Sequence, residues 1–156
     1  MIVKAILAAK GSNVINIEPT ATLETAVKTL AEHKIGALLV LGPDRRVMGI
    51  LSERDIVRVL AERGAGVLSE PLASVMTRKV VTCSQSDTVG VLMERMTTGK
   101  FRHLPVVEQE QVIGVVSIGD VVKHRLMEME HESAALLLYK TVGRRRVLGS
   151  RNMPGR

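Results

Sequence analysis

Apolar and polar positions follow one template twice along the chain. Residues 14–17 read as a short β-branched strand, and Pro19 ends it. Thr22 stands where an N-cap belongs, ahead of Leu23, Ala26, Val27 and Leu30 at helical spacing. The apolar run Ala37–Leu41 has the length of a buried strand, "GPDRR" (residues 42–46) is a turn, and residues 47–51 form a second strand. A helix over Glu53–Arg63 is stopped by Gly64. The second copy predicts a strand at 80–83, a helix at 89–97 and strands at 103–107 and 112–116. Its last helix, from Ile118, runs far beyond its counterpart through "HRLMEMEHESAALLLY".

Self-comparison aligns the two copies. At an offset of 66, residues 22–40, "TLETAVKTLAEHKIGALLV", lie over residues 88–106, "TVGVLMERMTTGKFRHLPV". One residue is lost near Gly42, and at an offset of 65 "VMGILSERDIVR" (47–58) lies over "VIGVVSIGDVVK" (112–123). Each copy is a β-α-β-β-α unit with one bare face, which it buries best against its twin. The expected organisation is a lead-in (1–13), unit 1 (14–66), a linker (67–79), unit 2 (80–127), a helical extension (128–142) and a basic tail without fixed structure (143–156).

Composition sharpens this picture at a few points. With no Trp, one Phe and one Tyr, the core must be built from Val, Ile, Leu, Ala and Met. Stacking platforms for single-stranded nucleic acid are therefore not expected. The formal charge is +6, and the tail from Tyr139 to Arg156 supplies six bases and no acid, so the remaining body is neutral. Cys83 is the single cysteine, which leaves no intramolecular disulfide or zinc cluster and marks a small buried apolar residue. His33, His124 and His131 are read as solvated helix residues, and Met93, Met96, Met127 and Met129 as core or interface filling. No apolar run reaches the ~18 residues of a membrane helix, and a cytoplasmic protein is expected.

The repeated phrases "GILSERD" (49–55) and "GVVSIGD" (114–120) carry the candidate chemistry. A strand passing through Ser52 or Ser117 into a helix gathers backbone N–H groups and the positive end of a helix dipole. Asp55 and Asp120, three residues on, can accept both vicinal hydroxyls of a ribose. Arg54 adds a charge suited to phosphate. The same Ser-x-x-Asp spacing is also a helix capping box, and residue chemistry leaves both readings open.

The doubled phrases, the linker "PLASVMTRKVVTC" and the stretch "FRHLPVV" together resemble a tandem pair of cystathionine-beta-synthase (CBS) domains over about residues 1 to 138. The stretches "ILAAKG", "SERD" and "SIGDVVK" are most similar to the short stand-alone bacterial members. The resemblance implies an α/β (α+β) fold of two units about a pseudo-twofold axis, with adenosine ligands in clefts between them. These include AMP, ADP, ATP and, in the stand-alone proteins, NAD(H); S-adenosylmethionine is less expected. It matches ribose-binding Asp to Asp55 and Asp120, and phosphate-contacting Ser to Ser52 and Ser117. It assigns adenine contacts to Asn16, Ile17, Thr82 and Cys83, and phosphate contacts to Arg102 and His103. Unit 1 has Gly36 and Ala37 opposite Arg102 and His103, while unit 2 has Gly119 opposite Arg54. Each copy thus holds half of a phosphate grip, serving either a common region or two unequal sites; unequal sites are expected. CBS pairs commonly form flat dimers, so a homodimer involving the terminal helix is expected.

The leading expectation is a non-catalytic adenine-nucleotide sensor whose output passes to another protein, since the two units occupy almost the whole chain. An enzyme would need a nucleophile–base pair or metal cluster, and the sequence offers neither. The alternative is a nucleic-acid-binding protein using the arginine tail. Deleting residues 143–156 separates the two in a filter-binding assay. On the sensor reading nucleotide affinity survives the deletion; salt-sensitive DNA or RNA binding by the intact chain that disappears with the tail supports the alternative.

Overall fold

The computed structural model describes the backbone of residues 2–151 and side chains through residue 142. Ten regular elements follow in order: α1 (Val3–Lys10), β1 (Asn16–Ile17), α2 (Leu23–His33), β2 (Ala37–Leu41), β3 (Val47–Ser52), α3 (Glu53–Arg63), α4 (Val89–Gly99), β4 (His103–Glu108), β5 (Gln111–Ser117) and α5 (Ile118–Arg151). The expected basic tail at 143–156 lies outside the described side chains.

The internal repeat is visible in the hydrogen bonding. Thr22 caps α2 by accepting from the Thr25 N–H, and Thr88 caps α4 by accepting from the Val91 N–H. β1 pairs parallel to β2, and β2 antiparallel to β3. β4 pairs antiparallel to β5. The register shifts at Val40/Leu41 and again at Val106/Val107, the same place in each copy. The strand expected at 80–83 contracts to one parallel bridge, Cys83 to Val106, matching the Ile17–Val40 pair of unit 1. Cys83 N–H donates to Pro105 O and Val107 N–H donates to Cys83 O, both at 2.9 Å, while Val81 is exposed.

Three apolar clusters make the interior. Leu23, Leu38, Leu51 and Ile56 anchor unit 1, and Leu92, Met96, Leu104 and Val116 anchor unit 2. A third cluster joins Val14, Leu39 and Leu41 of unit 1 to Val112 of unit 2, with Ile50, Val107 and Val115 packed around it. This seam holds the two units together about the pseudo-twofold axis.

The segments ahead of each unit cross over. α1 precedes unit 1 in sequence, yet Val3, Ile6 and Leu7 lie in the core of unit 2. An eight-residue helix is marginal alone, and α1 is held by these residues at i, i+3 and i+4. The stretch 67–79, expected as a linker, closes unit 1 with Val67, Leu72, Val75 and Met76. Val3 N–H donates to Asp87 O (2.9 Å), and Leu72 N–H to Ala21 O (2.8 Å), at positions 66 apart on the acceptor side. Gly49 and Gly114 make room for the crossing: a Cβ there would lie 2.6 Å from Met76 Sδ and 2.6 Å from Leu7 Cδ2 respectively.

α5 shows one correction. His124, read as solvated, is buried, because it shares the inward face with Val121. His33 and His131 are exposed. The outward face carries Ile118, Val122, Leu126, Met129 and Leu136, all exposed. Met96 is core, whereas Met93, Met127 and Met129 are exposed. No helix among the described residues is long and apolar enough to cross a membrane.

The crossing makes a specific prediction. Ile6→Ala should cost about 2–5 kcal/mol, the range for emptying a buried aliphatic site. Native-state hydrogen exchange should rise first in α4, β4 and β5, and not in β2 and β3 of unit 1, the unit that α1 precedes in sequence.

Candidate functional site

Each β-strand-to-helix junction is locked in the same way. Ser52 N–H and Oγ donate to Asp55 Oδ2 at 2.9 and 3.0 Å, and Asp55 N–H donates to Ser52 Oγ at 3.2 Å. Ser117 and Asp120 repeat this at 2.9, 3.0 and 3.1 Å. The capping box is therefore real in both copies, and it uses one oxygen of each aspartate. Asp55 Oδ1 is met by Arg58 Nη2 at 3.0 Å. Glu53 N–H donates to Gly36 O and Ile118 N–H to Arg102 O, which brings the start of β2 beside α3 and the start of β4 beside α5.

Two clefts flank the seam, with volumes of about 320 and 250 Å³. One contains Ser117, Val115, Lys10, Lys34, Ile15, Ile35, Ala37 and His103. The other contains Ser52, Asp55, Ile50, Lys79, Lys100, Val81, Phe101, Arg102, His103, Ala37 and Arg54. The repeat maps one onto the other: Ser117 onto Ser52, Val115 onto Ile50, Ile15 onto Val81, Lys34 onto Lys100. Each cleft thus takes its Ser/Asp junction from one unit and its apolar floor from the other. Gly36, Ala37, Ile50 and His103 border both.

Their electrostatics differ. The Asp55 cleft gathers Arg54, Lys79, Lys100 and Arg102 together with the acids Glu53 and Asp55; the other has Lys10 and Lys34 and no acid in its lining. Lys34 and Lys100 close their helices in the left-handed conformation, φ 53° and 57°, which turns the chain back toward the clefts. Lys10 Nζ lies 2.6 Å from Asp120 Oδ2. Burial pushes the Asp120 carboxyl up, but hydrogen bonds from Lys10 and Ser117 outweigh it and hold it below the usual range. Burial, then the positive charge of Lys10, pushes the His103 imidazole below its ordinary value, so it is neutral near pH 7.

Profiles of the CBS domain match residues 3–62 and 72–126. The chain belongs to the CBS domain family. The fold is that of the CBS-domain containing protein ATU1752 from Agrobacterium tumefaciens, at 44% identity and a TM-score of 0.77, over 80% of this chain and 99% of that one. The CBS protein PAE2072 from Pyrobaculum aerophilum, solved with AMP, is 26% identical at a TM-score of 0.72, over 85% and 99%. The CBS pair of protein MJ0100, solved with 5'-methylthioadenosine and S-adenosyl-L-methionine, is 25% identical at 0.71, over 83% and 98%. Among curated relatives the chain spans 59% and 64% of the length of two that it matches.

Within this CBS pair, Ser52, Arg54, Asp55, Arg102 and His103 come together in one cleft. Arg54 of unit 1 and Arg102 and His103 of unit 2, separated between the copies in sequence, lie together there, and the linings of the two clefts differ as a result. Ser117 lines the other cleft, with Asp120 bonded behind it. Asn16, Ile17, Thr82 and Cys83 line neither. Ile15 and Val81, two residues before Ile17 and Cys83, line the clefts instead. Cys83 is 4% exposed and its thiol is pushed up to about 12, chiefly by burial, so it stays protonated and inert. Lys10, Lys34, Lys79 and Lys100 were missed as site residues. The signal was present: Lys34 and Lys100 align within the repeat.

The His103 shift fixes the sign of a pH effect. The folded state resists protonating His103, so below about pH 6.5 the unfolded chain binds more protons and stability falls as pH drops. Urea melts at pH 7.5 and 5.5 should show this loss, and His103→Gln should reduce it; an unchanged pH dependence would remove His103 as its source.

Proposed function

We propose that this CBS pair is a non-catalytic sensor of phosphate-bearing adenosine ligands (AMP, ADP, ATP or NAD(H)), with the Asp55 cleft as principal site. The Asp55 cleft carries this reading. It sets a carboxylate and a hydroxyl for a ribose beside four cationic side chains, Arg54 and Lys79 to one side of the junction and Lys100 and Arg102 from unit 2. Val81, Ile50 and Phe101 offer an apolar surface for a base. AMP in PAE2072 and the adenosyl ligands in MJ0100 support an adenosine moiety. The cations favour a phosphate over a sulfonium, which makes S-adenosylmethionine the weaker candidate.

Because each cleft is built from both units, a ligand that prefers one relative placement of the units shifts the population toward it, and a partner protein reads the difference. The exposed stripe of α5, Ile118, Val122, Leu126, Met129 and Leu136, pairs with a second copy in this reading. Light scattering on Leu126→Glu checks the dimer.

A thermal-shift series tests the ligand class. A ligand at about 100 times its dissociation constant adds roughly 2.7 kcal/mol, a rise of several degrees for a chain of this size. AMP, ADP, ATP, NAD or NADH should raise Tm and GMP should not. Asp55→Ala should remove the shift beyond the cap loss of about 1 kcal/mol. A mutant that loses that stability but keeps the ligand shift would leave Asp55 a cap only.

A further inference from the structure

The lead segments of the two units end in equivalent lysines, Lys10 and Lys79, and do different things with them. Before Lys79, Thr77 is extended and exchanges both backbone hydrogen bonds with Ile50, at 2.9 Å each. At the equivalent point in the other unit the chain is still in α1, so the Val115 carbonyl has no such backbone partner there. Lys10 Nζ supplies the donor instead, at 2.9 Å. The same ammonium lies 2.6 Å from Asp120 Oδ2. Lys10 therefore caps the edge of β5 and neutralises the carboxylate expected to take a ribose. In the Asp55 cleft the carboxylate's charge is met by Arg58 from α3, and Lys79 lines the cleft wall.

We propose that Lys10 is a specificity gate: the Asp120 cleft admits an adenosyl ligand only when that ligand brings an anion to accept the Lys10 ammonium. The inference rests on the ribose reading of Asp120. Lys10 and both Ser117 donors sit on Asp120 Oδ2. A ribose that takes both carboxylate oxygens with its vicinal hydroxyls displaces Lys10 from Oδ2 and trades an ion pair for donors that carry no charge. The displaced ammonium then loses its partner oxygen and stands beside Lys34 in a cleft whose lining holds no acid. A phosphate next to the ribose restores the pairing. A neutral nucleoside does not. AMP should enter this cleft, and adenosine should be rejected.

Amide NMR reads the two clefts separately, because Ser117 N–H and Ser52 N–H each donate to their own aspartate at 2.9 Å. Followed at Ser117, AMP should bind at least about tenfold more tightly than adenosine, the scale of one charge-assisted contact. Lys10→Met should raise adenosine affinity at Ser117 by about fivefold or more and leave titrations at Ser52 unchanged, which also verifies folding. Lys10→Arg should retain the preference for AMP. If Lys10→Met lowers AMP affinity while adenosine is unchanged, Lys10 is only a phosphate contact and the gate is overturned. Equal affinities of AMP and adenosine in the unaltered protein overturn it as well. Silence of both serine amides toward every adenosyl ligand overturns the cleft reading itself, and the gate with it.

Discussion

The sheet face that carries Val14, Leu39 and Leu41 has no helix of its own to cover it, and Val112, Val107 and Val115 of the other unit supply the cover. Two β-α-β-β-α units must therefore meet strand face to strand face. That contact sets the start of β2 against the end of β5, and the start of β4 against the end of β3. Each Ser-x-x-Asp junction consequently opens onto the partner unit's strand rather than onto its own. The clefts are a geometric result of the seam, and no ligand can occupy either one without touching both halves of the chain.

Symmetry of the backbone is broken by a few side chains. Gly36 and Ala37 leave space where Arg102 and His103 stand, and Gly119 leaves space where Arg54 stands. Because the seam pairs opposite units, these substitutions accumulate in one cleft instead of cancelling. The Asp55 cleft receives both arginines and the other receives neither. The second asymmetry is conformational: a backbone bridge at Thr77 and Ile50 in one unit becomes a lysine cap on Val115 in the other. One unequal turn of helix is enough to move a charge onto Asp120.

Much of this was legible in the sequence. The repeat, the Thr22 cap, the strand pairs and the two Ser/Asp junctions follow from local periodicity and turn chemistry, which the fold leaves intact. The crossing of the lead segments was not legible. Residues 2–10 and 71–79 align at an offset of 69 rather than 66, share little identity, and adopt helix in one copy and a short turn with extended chain in the other. Nothing local says which core an apolar segment will join. The sequence marks a β-branched strand at the start of each unit but not which of its residues reach a cleft: Ile15 and Val81 line the clefts, where Asn16, Ile17, Thr82 and Cys83 were expected. Cys83 is buried and Val81 exposed. His124 was read as solvated because it stands at no ligand spacing, whereas the first turns of α5 pack on unit 2 and bury it.

A sensor needs more than a filled cleft, because ligand shifts an arrangement only by the difference in its affinity for two of them. Contacts within one unit, such as Ser117 with Asp120, move together and contribute nothing to that difference. The residues that can decide it face each other across the seam: His103 and Arg102 against Arg54 and Asp55, and Lys34 and Ile15 against Ser117 and Val115. Asp120 adds a particular lever, since it caps the first turn of α5, a helix of 34 residues and about 50 Å in length. A ligand that moved Lys10 off Asp120 would act on the first turn of the same helix whose outer stripe is left uncovered.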